Sequence, residues 1–312
     1  MVVRVYVGEA LAQYGFSSEH PFGTDRLEAF WAESVKQGLH KRVQVATPRA
    51  APEADIAQFH THDYIARVKA LSSTGEGYLD DGDTPAFKGM FAAASSVVGS
   101  VLDGLEHVMS GDSTRVFVPI AGLHHAHPDS ASGFCIFNDP GIAIATLRKR
   151  FGIRRIAYVD IDGHHGDGVF YAFEDDPDLI FADIHEDGRF LFPGTGFAYE
   201  TGKDRAVGTK LNLPMRPGAD DHAFHKAWGE VEEFVRAQKP EIILLQAGVD
   251  SIAGDPLTHM AFTPAAHAHA AERLCRLADE FCNGRLIAMG GGGYNPRNIA
   301  IGWNAVLAAM LG

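Results

Sequence analysis

The sequence predicts an α/β fold with a central parallel β-sheet and helices on both of its faces. Short apolar runs rich in β-branched residues alternate with longer segments of helical periodicity, as in β–α–β units. The apolar runs are nearly continuous, which is typical of strands buried on both faces. No internal repeat, low-complexity tract or proline-rich linker divides the 312 residues. We therefore expect one domain over residues 1–312, with a core that needs no covalent crosslinks.

Each predicted strand is a short run dominated by β-branched, aromatic or other apolar residues. In chain order these runs span residues 2–7, 115–120, 156–161, 179–184, 210–213, 241–246 and 286–289. Apolar residues recur at helical spacing between them and predict helices over 25–37, 62–70, 87–109, 139–150, 220–238, 264–282 and 296–311. Glycine and proline cluster in the connections 73–89, 186–196 and 248–257, which we expect to be functional loops.

Composition excludes several classes of protein. Asp and Glu number 40 against 27 Lys and Arg, a net charge of -13, which argues against nucleic-acid binding through a basic surface. Three cysteines do not make a disulfide framework. No apolar run of about 18 residues predicts a membrane span, and the N-terminus is typical of a strand rather than a signal peptide. The simplest location is a reducing bacterial cytoplasm.

Polar residues follow four of the predicted strands directly. They are His124 and His125, then Asp160, Asp162 and His164, then Asp250, and finally Tyr294. In open parallel sheets, ligands bind beyond the carboxyl ends of the strands. We therefore expect these side chains to converge at one edge of the sheet.

The convergent residues include a candidate metal site. On an extended strand, the residues of Asp160-x-Asp162-x-His164 share a face, so an Asp and a His two apart can hold one metal ion. Such a pair alone is more often a structural hydrogen bond. Asp250 from another strand end supplies a third ligand and leaves positions open for water and substrate, as a catalytic Zn²⁺ requires. Fe²⁺ suits the same ligands.

The tandem histidines and Tyr294 suit acid–base chemistry beside such a metal. Of His124 and His125, one imidazole could act as general base and the other as general acid or electrostatic partner. Two ordinary loop histidines would give the same sequence pattern. Gly290–Gly293 lacks the spacing of a phosphate loop; it allows a tight turn that could project the Tyr294 hydroxyl towards a developing oxyanion.

Five motifs in this order carry a family resemblance: HHAHPDSASGFC, YVDIDGHHGDGV, FPGTG, LQAGVDSIAGDPL and GGGGYN. With them the chain resembles the histone deacetylase family over nearly its whole length, and within it a bacterial branch that includes the acetoin-utilisation protein. The resemblance implies the arginase–deacetylase fold and a metal-dependent lysine deacetylase. It implies Zn²⁺ ligation by Asp162, His164 and Asp250, and catalytic roles for His124 with Asp160, His125 with Asp167, and Tyr294.

The resemblance also implies a substrate channel and monovalent-cation sites. The residues implied to bind substrate are Asp83 at the rim, Gly133, Phe134, Phe192 and Gly292. Arg26 matches an arginine near an internal acetate exit. The resemblance implies K⁺ beneath the zinc, near Asp160, Asp162, His164 and Asp183. Asp183 replaces the usual serine, and its carboxylate could either strengthen K⁺ binding or replace it by a different network. Phe173, with Asp176, Leu179 and Thr209, could frame a second such site.

Three alternatives to a protein lysine deacetylase remain open. An acetylpolyamine amidohydrolase would share the chemistry, but it commonly carries a long insertion that is not seen here. A two-metal ureohydrolase would need a carboxylate where Gly166 stands, and a non-catalytic acyl-lysine binder would be expected to lose a site residue. The expected partner is an acylated protein or a small acylated amine, with neither nucleic acid nor membrane, and the oligomeric state is open. His20, His127 and His185 are predicted in loops near the mouth.

Overall fold

The computed structural model describes residues 2–17 and 19–312, and its centre is one eight-stranded, wholly parallel β-sheet. The strand order is β2-β1-β3-β8-β7-β4-β5-β6. The strands are β1 (Val3–Tyr6), β2 (Gln44–Ala46), β3 (Arg115–Val118), β4 (Ile156–Asp160), β5 (Leu179–Glu186), β6 (Lys210–Met215), β7 (Ile242–Gln246) and β8 (Leu286–Met289).

Ten α-helices connect and flank the described strands. They are α1 (Glu9–Ala12), α2 (Arg26–Lys36), α3 (Glu53–Ile56), α4 (His62–Thr74), α5 (Met90–Ser110), α6 (Asp139–Phe151), α7 (Asp167–Ala172), α8 (Asp221–Gln238), α9 (Pro264–Phe281) and α10 (Pro296–Leu311). Helix α10 packs against α2 and α9, and α9 against α8; helix α5 packs against α1, α4 and α6, and α1 also contacts α2. The α/β class with a central parallel sheet is therefore confirmed.

Local sequence explains where the main helices begin. Asn138, Asp220, Thr263 and Asn295 each cap a helix by accepting a hydrogen bond from a main-chain N–H of its first turn. Three of these helices, α6, α9 and α10, also carry proline in the first turn, where no helical N–H is lost. Strands β3, β4, β7 and β8 are buried along their whole length, which explains their continuous apolar runs.

The structure differs from the sequence prediction at several elements. All seven predicted strands form, but the edge strand β2 was not predicted, and β5 continues two residues further, to Glu186. The short helices α1, α3 and α7 were also not predicted. Helix α5 begins at Met90 rather than residue 87, because Gly89 precedes it in a left-handed conformation. No helix among the described residues is long and apolar enough to cross a membrane.

The strand order creates a switch point in the middle of the sheet. The chain passes from β3 to β4 across two positions, and β8 and β7 later fill the gap. The carboxyl ends of these four adjacent strands form a single edge. Ligand sites of open α/β sheets lie at such switch points, and the polar residues singled out in the sequence follow these four strands.

Candidate active site

The structure brings Asp162, His164 and Asp250 together. One potential ligand atom from each lies within 4.8 Å of the others, and all three residues are buried. His164 Nδ1 lies 2.9 Å from Asp250 Oδ2 and 3.2 Å from Asp162 Oδ1. Strand β4 ends at Asp160, so Asp162 and His164 lie in the turn beyond it, and the expected extended-strand geometry is wrong for them.

Main-chain and side-chain donors fix the two carboxylates. Gly292 N and Gln246 Nε2 each donate to Asp162 Oδ2 at 2.7 Å, and Gly163 N donates to Asp250 Oδ1 at 2.7 Å. These bonds leave Asp162 Oδ1 and Asp250 Oδ2 directed at the His164 ring. Such outer contacts hold ligands in place and set their orientation.

The donor set fits a divalent cation. Burial alone would lower the pKa of His164, but its hydrogen bonds to Asp162 and Asp250 raise that pKa to about 10. Burial and the charge of Asp162 raise the pKa of Asp250 to about 7. Two carboxylates this deeply buried need a positive charge between them. Two oxygens and one imidazole nitrogen suit Zn²⁺ or Fe²⁺.

His124 and His125 form two parallel dyads beside this group. His124 Nδ1 lies 2.8 Å from Asp160 Oδ2, and His125 Nδ1 lies 2.6 Å from Asp167 Oδ1. The two Nε2 atoms face each other at 3.0 Å. With each Nδ1–H donated to a carboxylate, the two Nε2 atoms are the positions at which this pair can exchange a proton.

His125 is held in its neutral form. Burial, and to a smaller extent the neighbouring His124, lower the pKa of His125 to about 4 against the opposing effect of Asp167. Burial works to raise the pKa of Asp167, but His125 holds it below the usual value. A neutral imidazole with a fixed Nδ1–H presents a lone pair at Nε2, which is what a general base needs.

Tyr294 follows β8 and stands against the same group. Its ring centroid lies 6.5 Å from that of His164 and 5.8 Å from that of Phe134. Asp255 accepts a hydrogen bond of 2.8 Å from Tyr294 N and so fixes the main chain here. Burial raises the pKa of the Tyr294 phenol well above its usual value, so the hydroxyl stays protonated and able to donate.

A cavity of about 210 Å³ leads to these residues from the surface. Its lining consists of Asp83, His125, Gly133, Phe134, His164, Leu191, Phe192, Leu257 and Tyr294. A Cβ on Gly133 would lie 2.5 Å from the His125 ring and 3.0 Å from the Phe192 ring, so only glycine keeps this passage open. At the mouth, His20 Nε2 lies 3.1 Å from Asp83 O.

The residues singled out for monovalent cations have other partners. Asp183 Oδ1 lies 2.7 Å from His185 Nδ1, and Asp183 Oδ2 accepts from Gly166 N at 2.9 Å. His185 Nε2 lies 2.8 Å from Gly196 O, so both its ring nitrogens donate and the pKa of His185 is raised against the effect of burial. The prediction that His185 lies in a loop is wrong: it is fully buried within β5.

A lysine ammonium stands in the second suggested cation site. Lys210 Nζ donates to Asp176 O at 2.9 Å, to Leu179 O at 2.8 Å and to Thr209 Oγ1 at 2.7 Å. The Lys210 side chain is buried. The oxygens of this frame therefore already have a cationic partner in Lys210, and the Phe173 ring faces the Arg148 guanidinium, which lies 5.9 Å from its centroid. A cation beneath the Asp162–His164–Asp250 group, near Asp160, stays a prediction.

Sequence reasoning missed several residues of the site. Gln246 ends β7 one strand from Asp160, and its place at the end of an apolar run was a usable signal. Leu191 and Leu257 line the channel mouth from two glycine- and proline-rich loops, where nothing in their own chemistry marks them. Arg26, expected near an internal exit, is buried and donates to Gly291 O and to Gly293 O.

Comparisons with known proteins agree with this geometry. The fold is the arginase–deacetylase fold: the structure superimposes on one titled "Crystal Structure of HDA15 HD domain" with a TM-score of 0.91 and 27% identity, over 99% of this chain and 88% of the other. A profile of the histone deacetylase domain matches residues 20–310.

Two proteins of similar sequence extend this comparison. The acetoin utilization protein AcuC of Bacillus subtilis is 37% identical over 308 residues, covering 96% of this chain and 79% of the relative. The protein of the same name from Staphylococcus xylosus is 35% identical over 317 residues, covering 99% and 82%. The chain belongs to the histone deacetylase family. Family membership supports a deacetylase, a hydrolase that acts on amides.

Proposed function

We propose that this chain is a zinc-dependent deacetylase that removes acetyl or other short acyl groups from the ε-amine of lysine side chains in proteins. The observation that carries the proposal is the contact between two carboxylate-backed imidazoles and a buried Asp–His–Asp group at the base of one narrow channel. Asp162, His164 and Asp250 would hold the ion. Zn²⁺ bound there would polarise an amide carbonyl and lower the pKa of water.

The chain's own residues divide the proton transfers. His125 accepts a proton from the attacking water at Nε2, while Asp167 keeps the Nδ1 proton in place. The Tyr294 hydroxyl donates a hydrogen bond to the carbonyl oxygen as negative charge develops on it. His124, held by Asp160, stabilises the charged imidazole pair, from which a proton passes to the leaving amine.

The channel fits a lysine side chain. Phe134 and Phe192 enclose a passage that would accept the methylene stem and leave the peptide main chain outside. Asp83 at the rim would accept a hydrogen bond from that main chain. Leu191 and Leu257 make the rest of the mouth apolar, so once Asp83 is engaged by the peptide main chain the cavity lining holds no second carboxylate for the distal ammonium of an acylated polyamine. A protein substrate is therefore favoured over a polyamine.

The test is acetate release by metal-stripped, zinc-restored enzyme, with an acetyl-lysine peptide and N-acetylputrescine assayed in parallel. Zinc-dependent release that is faster from the peptide supports the proposal. Faster release from acetylputrescine would assign the chain to polyamines instead. Release that persists after metal removal contradicts the zinc assignment, and no release from either substrate contradicts the deacetylase itself. The site of action proposed is the cytoplasm.

A further inference from the structure

A third histidine contacts the catalytic dyad of His125 from the solvent side. His127 Nε2 lies 3.4 Å from Asp167 Oδ2, while the other oxygen of that carboxylate lies 2.6 Å from His125 Nδ1. One carboxylate at the start of α7 thus bridges two imidazoles. The sequence order His125–Ala126–His127 places the second imidazole on the same loop as the first.

The two imidazoles differ in their access to water. The side chains of His125 and Asp167 are only 6% and 7% exposed, whereas that of His127 is 33% exposed. His127 can therefore exchange a proton with solvent while His125 is enclosed by the channel. Because the Asp167 carboxylate interacts with both rings, a positive charge on one ring weakens the interaction of the carboxylate with the other ring.

We propose that His127 is a positioning residue for deacetylation: it shares the Asp167 carboxylate with His125 and so sets how strongly Asp167 holds the Nδ1 proton of His125. The inference rests on the proposed function, in which neutral His125 accepts the proton of water. His127 acts through Asp167: it is not among the residues that line the cavity, nor is it one of the three proposed metal ligands.

The groups around His127 allow this titration. Its hydrogen bond to Asp167 raises the pKa of His127, burial opposes the rise, and the charges of Asp167 on α7 and Asp129 on its own turn add to it. The other titratable ring against this segment is His60, which contacts the main chain of His127. The pKa of His127 is therefore raised above the ordinary value of a histidine, which favours the charged ring beside Asp167.

The direction of the effect follows from the shared carboxylate. When His127 is protonated, it takes part of the Asp167 charge, and His125 binds a further proton less readily. His125 then stays neutral at lower pH. When the charge at position 127 is lost, Asp167 acts on His125 alone, and His125 becomes protonated at a higher pH.

Two matched variants separate charge from shape. His127→Gln removes the charge and keeps a hydrogen-bonding group, whereas His127→Lys keeps a permanent positive charge. We expect the acid limb of kcat/KM, measured on the zinc-loaded chain with an acetyl-lysine peptide, to move up by about one pH unit in His127→Gln. In His127→Lys it should stay at or below the wild-type position. Equal shifts in both variants, or no shift in either, would overturn the proposal.

A second measurement does not depend on catalysis. NMR titration of the His127 ring in the zinc-loaded chain without substrate should give a pKa that falls in Asp167→Asn and is unchanged in the control His62→Gln, whose ring is exposed elsewhere. An unchanged His127 pKa in Asp167→Asn would overturn the coupling even if the enzyme is active. Absence of acetate release from every variant and from wild type would instead contradict the proposed function, and the titration would still decide the coupling.

Discussion

Gly292 and Asp250 approach each other so closely that the site has no room for a side chain at position 292. A Cβ on Gly292 would lie 2.3 Å from Asp250 Oδ2 and 2.8 Å from Asp162 Oδ2. At the same time, Gly292 N donates to Asp162 Oδ2 at 2.7 Å. The glycine thus supplies a donor at a distance that only a residue without a side chain can reach.

Gly292→Ala should therefore weaken metal binding, because the new methyl group displaces two of the three proposed ligands. We expect zinc affinity to fall by about 10- to 100-fold, the range seen when support of metal ligands is lost. Competition with a chromophoric chelator measures this directly. The matched control is Gly229→Ala in α8, where a Cβ meets nothing within 4 Å. Unchanged zinc affinity in Gly292→Ala would contradict the assignment of the ligands.

Tyr294→Phe should remove one hydrogen bond that forms as charge develops on the carbonyl oxygen. We expect kcat to fall by roughly 10²–10³, the usual loss for one oxyanion donor, with little change in KM or in zinc affinity. Steady-state kinetics with an acetyl-lysine peptide provide the measurement. Tyr199→Phe, at a side chain that is 78% exposed, is the control. Full activity of Tyr294→Phe would remove the tyrosine from the mechanism.

Leu257→Glu should change the substrate preference. Leu257 lines the mouth together with Asp83, and a carboxylate there would attract the distal ammonium of acetylputrescine. We expect the ratio of kcat/KM for acetylputrescine over the peptide to rise by about tenfold, or about 1.4 kcal/mol. Leu257→Gln, of the same size but uncharged, should leave the ratio unchanged. Equal ratios in both variants would show that charge at this mouth does not select the substrate.

Much of this fold could be predicted because buried parallel strands leave a plain signal. Strands β3, β4, β7 and β8 are buried along their whole length and consist mainly of apolar residues, so the sequence predicts all four. Edge strand β2 was not predicted, since it has three residues and two of them are exposed. The end of β5 was also missed, because its last residues, His185 and Glu186, are polar yet buried with side-chain partners.

The residues of the site were predictable for a related reason. The carboxyl ends of neighbouring parallel strands lie at one edge of the sheet, so polar residues that follow several of these strands lie close together there. Contacts between elements that run in different directions leave no comparable pattern in the sequence. The contacts of His127 with Asp167 and of Lys210 Nζ with Leu179 O depend on the rotamers of these side chains. Periodicity along the chain carries no information about that.

His60 should make stability depend on pH. Asn138 N donates to its Nε2 at 2.9 Å, and burial lowers the pKa of His60 from 6.5 to about 4. Because the folded pKa lies below the unfolded one, stability is complete above pH 6.5 and is lost as the pH falls towards 4. At pH 5 the loss should reach about 2 kcal/mol relative to pH 7.

Urea unfolding at pH 7 and at pH 5 measures this term. The free energy of unfolding should fall by about 2 kcal/mol more in wild type than in His60→Gln, which has an oxygen able to accept from Asn138 N. Other groups titrate equally in both proteins and cancel. The exposed His62, changed to Gln, is the control and should behave as wild type. The same pH dependence in His60→Gln would show that His60 does not contribute it.

Lys210→Met should leave empty a group of oxygen atoms that the Lys210 ammonium occupies in the wild-type chain. Burial lowers the pKa of Lys210 to about 8, so the group is mostly charged at pH 7. Methionine has a similar length but no donor, and it leaves Asp176 O, Leu179 O and Thr209 Oγ1 without their shared partner. We expect a loss of about 3 kcal/mol in the free energy of unfolding.

Potassium should recover part of that loss, because a bare monovalent cation can bind the same oxygens. Unfolding in 100 mM KCl and in 100 mM choline chloride separates binding from ionic strength, and KCl should restore about 1 kcal/mol in the variant beyond its effect on wild type. A cation bound near Asp160 would stabilise both proteins equally, so its contribution cancels when the two KCl effects are compared. If KCl stabilises both proteins equally, the ammonium of Lys210 does not occupy a site that a monovalent cation can take.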